Sequence, residues 1–191
     1  MFYKLAWVLL KIYFFVFFRF KSSGRENIPE TGGTIFCSNH SSMMDPTILA
    51  MLTRRKVHYI GKKELFDKRF AAPFLRWLGA FPVDRGAADM SAYKKAIELL
   101  ANGGVVGVFA EGSRFKELDA KNAKAGVALF ALKSGAEVVP IAIKSSYKLF
   151  SKITVNVGAP VGLGEYRGAR IKTETLNAAT EKIMNEISGL M

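Results

Sequence analysis

With one cysteine and two histidines in 191 residues, two large classes of protein are ruled out at once. A lone thiol, Cys37, closes no internal disulfide, and one Cys with two His does not complete a four-ligand zinc site. The composition suits a reducing compartment and speaks against a metal enzyme. Acids are scarce too: 16 Asp and Glu stand against 28 Lys and Arg, a formal charge of +12. An excess of that size selects anionic partners, whether nucleic acid, lipid headgroups or phosphorylated substrates. Also missing are the G-x-S-x-G nucleophile elbow, the G-x-x-x-x-G-K-[ST] phosphate loop and the G-x-G-x-x-G dinucleotide fingerprint. No repeat or low-complexity tract is present, and the length allows one domain with a substantial core.

Apolar residues are plentiful and unevenly spread. The first twenty positions read MFYKLAWVLLKIYFFVFFRF, broken only by Lys4, Lys11 and Arg19. On a helix Lys4 and Lys11 fall about 20° apart and Arg19 about 80° beyond Lys11. A membrane-spanning helix needs about 20 residues with few charges, and Lys11 interrupts this one near its middle. No small-x-small cleavage site follows, as a signal peptide would require. The expected arrangement is an amphipathic helix over residues 1–21 lying in the membrane interface, aromatics among acyl chains and cations at the phosphates. A spanning helix, a cleaved signal and a buried core helix are the alternatives. The interfacial reading makes this a peripheral protein of anionic membranes, on the cytoplasmic face of the cell membrane. Ser22 to Gly33, with its glycines and Pro29, reads as a linker, and residues 22–191 as one α/β domain.

Within that domain short β-prone runs alternate with helical ones. Strands are expected at Gly33–Ser38, Lys56–Ile60, Gly79–Val83, Val105–Phe109, Val138–Ile143 and Ile153–Val157. Helices are expected at Pro46–Leu52, Pro73–Leu78, Ala88–Ala101, Ala120–Lys133 and Ile171–Leu190. The pattern predicts a mixed, largely parallel sheet flanked by helices, with its site beyond the C-terminal ends of the strands. Three charged turns, at His40, Arg85 and Arg114, each follow an expected strand. From Arg54 to Arg76 eight Lys or Arg face two acids, a solvated face or an anion-facing surface.

In the turn Asn39-His40-Ser41-Ser42-Met43-Met44-Asp45-Pro46, an imidazole stands five residues before a carboxylate. In a regular helix the two would point about 140° apart, but a turn folds Asp45 back to accept the Nδ1 proton and leaves Nε2 as a general base. Asp45 before Pro46 equally has the form of a helix N-cap, and the histidine that of a hydrogen-bonded structural residue. The second histidine, His58, in an expected strand, reads as structural, and Cys37 as buried packing.

These turns, taken together, resemble the 1-acyl-sn-glycerol-3-phosphate acyltransferase (PlsC-like) family of glycerolipid acyltransferases. Asn39-His40-Ser41-Ser42-Met43-Met44-Asp45 is similar to its N-H-x-S-x-x-D block and Gly79-Ala80-Phe81-Pro82-Val83-Asp84-Arg85 to its G-x-x-F-x-x-R block. Phe109-Ala110-Glu111-Gly112-Ser113-Arg114 is similar to F-P-E-G-[TS]-R, Val138-Val139-Pro140-Ile141-Ala142 to V-P-[VI], and Gly61-Lys62-Lys63-Glu64-Leu65 to A-K-x-E-L. Ala110 and Gly61 depart from the pattern without removing a charge. The resemblance spans residues of about 33 to 160. It implies transfer of an acyl group from a thioester donor, acyl-CoA or acyl-carrier protein, to the hydroxyl of a lysophosphatidate, giving phosphatidate. His40 and Asp45 would be the catalytic pair, and no cofactor beyond the acyl co-substrate is implied. Lys62, Arg85 and Arg114 would hold the acceptor phosphate, and Glu111, Gly112 and Ser113 would contact the substrate. For Arg85 the plain alternative is a surface ion pair with Asp84. Competing functions are acylation of another lysolipid or an amine-containing lipid, and a non-catalytic basic protein binding membrane or nucleic acid. A hydrolase using Cys37 with His40 is a further one. The intact histidine block counts against a mere binding module, so nucleic acid is not an expected partner.

Overall fold

The computed structural model describes residues 2–67, 69, 71–84, 90–109, 125–166 and 171–191. Among them seven strands form one sheet in the order β1-β7-β6-β2-β5-β3-β4. In chain order these are β1 (Arg19–Ser23), β2 (Thr34–Ser38), β3 (Val57–Lys62), β4 (Ala80–Val83), β5 (Val105–Phe109), β6 (Glu137–Ser145) and β7 (Lys152–Val157). All neighbours pair in parallel except β6 with β7. The helices are α1 (Phe2–Phe17), α2 (Asp45–Leu52), α3 (Ala71–Trp77), α4 (Met90–Ala101), α5 (Gly126–Ser134) and α6 (Thr173–Gly189).

Two separate cores show why the central strands carry continuous apolar runs. On β2, Ile35 and Cys37 join Val106 and Val138 under α4, α5 and α6, while Phe36 turns to the other face. There Val105, Val139, Ile141 and Ile143 pack against Ile48, Leu49 and Leu52 of α2 and against Phe14 and Phe18. A strand covered on both faces has no polar side to alternate with. The expected mixed, largely parallel sheet flanked by helices is what the chain builds.

Two expectations at the N-terminus are corrected. Ser22 to Gly33 is not a free linker, because strand β1 runs across positions 21 and 22 and pairs residue by residue with Lys152–Asn156. Arg25 then donates to the carbonyls of Met51 and Leu52 at 3.1 and 2.9 Å, and Asn27 to that of Val157 at 3.1 Å. Helix α1 is likewise docked, with Phe14 and Phe18 buried in the second core and Trp7 Nε1 donating to the carbonyls of Ala50 and Thr53, both at 3.0 Å. Lys11 does not lie on an open polar face: its ammonium sits 3.6 Å from the Trp7 ring centroid. Partial burial, and then the nearby Arg25 and Arg54, lower its pKa. The outward face of α1 is instead apolar, with Leu5, Val8, Leu9, Ile12, Phe15 and Val16 exposed. Among the described residues no helix is long and apolar enough to cross a membrane. At 16 residues α1 rises about 24 Å, short of a hydrocarbon core of about 30 Å.

The basic stretch from Arg54 to Arg76 is not one solvated face either. Arg55 turns inward at the N-terminal edge of the sheet, donating to the Pro29 carbonyl at 2.9 Å and to Thr34 Oγ1 at 3.0 Å. It also donates to the carbonyls of Gly32 and Gly103, and desolvation lowers its pKa.

Candidate active site

Strands β2, β3, β4, β5 and β6 run in one direction, so their C-terminal ends lie along one edge of the sheet. The chain leaves β2 at Ser38 and reaches α2 at Asp45. Between them Asn39 fixes the path: its side-chain amide donates to the Ile143 carbonyl at 2.9 Å while its Oδ1 accepts from the Ile143 N–H at 2.8 Å. Since Ser38 already pairs with Ile141, this buried side chain extends the β2–β6 ladder by one step where the backbone has turned away. The turn that follows therefore has a rigid base.

Asp45 is the first residue of α2, and Met44 occupies the cap position. The N-cap expectation is thereby corrected, because the carboxylate reaches back over the turn instead of into its own helix. Its Oδ2 accepts from His40 Nδ1 at 2.8 Å and from the N–H groups of Ser41 and Ser42, both at 2.7 Å. Its Oδ1 accepts from the hydroxyl of Tyr147. All three partners besides the imidazole are donors, so a fully buried acceptor obliges His40 Nδ1 to carry its hydrogen. The neutral ring then has its lone pair on Nε2. Phe109, the last residue of β5, stacks on the other side of the imidazole with ring centroids 3.9 Å apart and planes 17° apart. Between carboxylate and phenyl ring, a histidine side chain that is 17% exposed has little rotational freedom.

Lys62 ends β3 beside Val83 of β4. Strand β3 is two places from β2 in the sheet, a lateral distance of about 10 Å. Its ammonium is more than half exposed and pairs with the equally exposed Glu64 at 2.9 Å. Asp84, the suggested ion-pair partner of Arg85, lies 3.6 Å from Lys63 Nζ. Arg85, Glu111, Gly112, Ser113 and Arg114 lie outside the described residues. The strands that lead into them, β4 and β5, end at Val83 and Phe109 on the same sheet edge as His40.

Cys37 is fully buried, and desolvation pushes its thiol up to about 12. A group so reluctant to form thiolate is no nucleophile, which removes the Cys37–His40 hydrolase. His58 is half-buried on β3, its Nδ1 3.2 Å from the Gly79 carbonyl. Among the described residues no group of three or more His, Cys, Asp or Glu is placed to hold a metal ion.

Comparison with known proteins agrees with this architecture. The profile of the acyltransferase family matches residues 19–144. The 1-acyl-sn-glycerol-3-phosphate acyltransferase of Bacillus subtilis is 31% identical over 182 residues, covering 89% of this chain and 90% of that protein. The enzyme of the same name from Borreliella burgdorferi is 30% identical over 142 residues, 73% of this chain and 57% of that one. The crystal structure of the 1-acyl-sn-glycerophosphate (LPA) acyltransferase PlsC from Thermotoga maritima superposes with a TM-score of 0.73 at 25% identity, covering 98% of this chain and 78% of that one. The family profile covers about two thirds of the chain and the Bacillus relative nearly all of it, so this protein is an acyltransferase and belongs to the 1-acyl-sn-glycerol-3-phosphate acyltransferase (PlsC-like) family.

Proposed function

We propose that this chain transfers a fatty acyl group from acyl-CoA or acyl-carrier protein to the free hydroxyl of lysophosphatidate, with His40 as general base and Asp45 as its orienting partner. The observation that carries the reading is the 2.8 Å contact between His40 Nδ1 and Asp45, which leaves Nε2 as the ring nitrogen available to the acceptor hydroxyl. The acceptor hydroxyl attacks the thioester carbonyl while Nε2 takes its proton. The tetrahedral intermediate then expels the donor thiolate, which recovers that proton from the imidazolium. Asp45 stabilises the imidazolium in between, as the carboxylate does in serine-hydrolase triads. The acceptor is itself the nucleophile, so no covalent enzyme intermediate is needed.

The acceptor assignment follows the names of the relatives. Lys62, Arg85 and Arg114 are assigned to its phosphate, for which planar guanidinium groups are well suited. Glu111, Gly112 and Ser113 are assigned to substrate contacts beside them. The substrates live in membranes, and the outward apolar face of α1 is assigned to the interface of an anionic bilayer. Leu149 and Phe150, both exposed, continue that face, since the Phe150 N–H donates to the Phe17 carbonyl at 2.8 Å. A groove of about 410 Å³ between Ile12, Phe15, Val16, Phe20 and Met51, flanked by Lys11 and Arg25, joins an apolar floor to two cations, as a lipid requires. This makes the enzyme a peripheral protein, assigned to the cytoplasmic face of the membrane.

The test is His40→Ala assayed with lysophosphatidate and other lysolipids against both donors. Turnover should vanish while folding and vesicle binding persist, because the change deletes a side chain that belongs to neither apolar core. Near wild-type turnover in a folded His40→Ala would end the proposal.

A further inference from the structure

Among the described side chains that touch the His40–Asp45 pair, Tyr147 comes from none of the sequence blocks that carry the family resemblance. It sits just past the C-terminal end of β6, next to β2 in the sheet, so the topology delivers it to the edge that carries His40. Its hydroxyl bonds Asp45 Oδ1, the carboxylate oxygen that His40 does not use. The Ser41 N–H donates to Asp45 Oδ2 at 2.7 Å, so with Tyr147 on Oδ1 both carboxylate oxygens are engaged.

We infer that Tyr147 is a positioning residue for acyl transfer: by occupying Oδ1 it stops the Asp45 carboxylate rolling about its Cβ–Cγ bond, and so keeps Oδ2 facing His40 Nδ1. The inference rests on His40 and Asp45 being the base pair. The torsion that Tyr147 locks is intrinsically soft in an aspartate, and α2 fixes only the residue's backbone. Asp45 is 0% exposed, so without the phenol Oδ1 would be a buried acceptor with no described donor. The backbone at Tyr147 points the same way. Its φ is 55°, a left-handed conformation disfavoured for any residue but glycine and kept where the surroundings over-determine it. The Tyr147 N–H holds that shape by donating to Ser145 Oγ at 3.0 Å. Burial first, and then its bond to the Asp45 carboxylate, raise the phenol's pKa well above its ordinary value. The hydroxyl therefore stays a donor throughout the working range of the enzyme.

Tyr147→Phe keeps the ring and removes only the bond. In full-length enzyme on lysophosphatidate-containing vesicles, kcat is expected to fall about tenfold, the worth of a hydrogen bond to a charged group, with both KM values unmoved. In an Asp45→Asn background the same change is expected to cost nothing further, because a residue acting through Asp45 is not additive with it. Tyr59→Phe is the matched control: its phenol donates to the Pro46 carbonyl at 2.6 Å, in the same first turn of α2 but away from the carboxylate. It should lower Tm and leave kcat alone. The inference is overturned if Tyr147→Phe retains kcat within about twofold while Asp45→Asn is impaired, or if the two losses multiply in full as independent sites do. An Asp45→Asn enzyme with full kcat would instead sink the base-pair reading itself.

Discussion

Phe109 lies flat against His40, its ring centroid 3.9 Å from that of the imidazole. The imidazole is thus held at its edge by a carboxylate and on its face by the residue that opens the Phe109–Arg114 block. An aromatic pair of this kind is worth about 0.5 to 1.5 kcal/mol beyond its buried area. Phe109→Leu should therefore lower kcat by about two- to tenfold, with little change in either KM. Steady-state kinetics with each substrate varied in turn would show it, and a rise in KM alone would mean that Phe109 lines the substrate path instead.

Arg85 and Arg114 are assigned to the acceptor phosphate through paired hydrogen bonds, which lysine does not reproduce. Arg85→Lys and Arg114→Lys should each cut catalytic efficiency by about ten- to hundredfold, felt against the lysolipid and not the donor. Lys62, assigned to the same phosphate, should contribute less, because Glu64 already engages it at 2.9 Å. Glu64→Gln should accordingly lower the acceptor KM. Unchanged acceptor parameters in both arginine variants would remove these residues from the phosphate site.

Membrane attachment is tested on side chains that the fold does not need. Phe15 is 83% exposed and Leu9 56%, whereas Phe14 and Phe18 belong to the core. Leu9→Ser and Phe15→Ser should each weaken binding to anionic vesicles by about tenfold or more, since each gives up the burial of a large apolar side chain. Tm should barely move. Undiminished flotation of the double variant with liposomes would transfer the anchor to another surface.

His58 gives stability a pH dependence of known sign. Burial, chiefly, and then the charge of Lys56 lower its pKa; the Gly79 carbonyl opposes them, and Lys95 adds a smaller push downward. The unfolded chain, with a histidine pKa of about 6.5, takes up its proton first as pH falls. The His58 contribution is therefore intact above that value and is lost as pH drops through the depressed folded one. Tm measured from pH 8 down to about 5 should fall more steeply in wild type than in His58→Gln. Parallel curves would mean that His58 binds protons equally in both states.

The legible parts of this chain were those whose cause is local. Strand β5 is a run of apolar residues because both its faces are covered, and the Gly103-Gly104 pair marks where α4 must stop. The His40–Asp45 pair was legible as a turn with two possible readings, and the structure shows the carboxylate bonded to the imidazole with Met44, not Asp45, at the cap. Strand β1 escaped because Arg-Phe-Lys-Ser-Ser becomes a strand only by pairing with Lys152–Asn156, more than a hundred residues away. Lys11 was misplaced for the same reason: nothing near it in sequence says that Trp7 will turn toward α2 and draw the ammonium over its ring. Tyr147 follows a strand that turns back antiparallel, in a Ser-Ser-Tyr-Lys stretch with the look of an ordinary turn. Only the sheet order places it beside the His40–Asp45 turn.

Arg55 ties the loop before β2 to the turn before β5, at the end of the sheet away from His40, about 16 Å along β2. Damage at the two ends would reach a living cell by different routes. On the proposed mechanism, losing His40 would leave a full complement of silent enzyme. Losing Arg55 strands several carbonyls and thins the population of molecules by opening them to proteolysis, while each survivor works at its normal rate. A growth selection would score the two alike, and only measuring protein level beside lipid output would tell an idle enzyme from a scarce one.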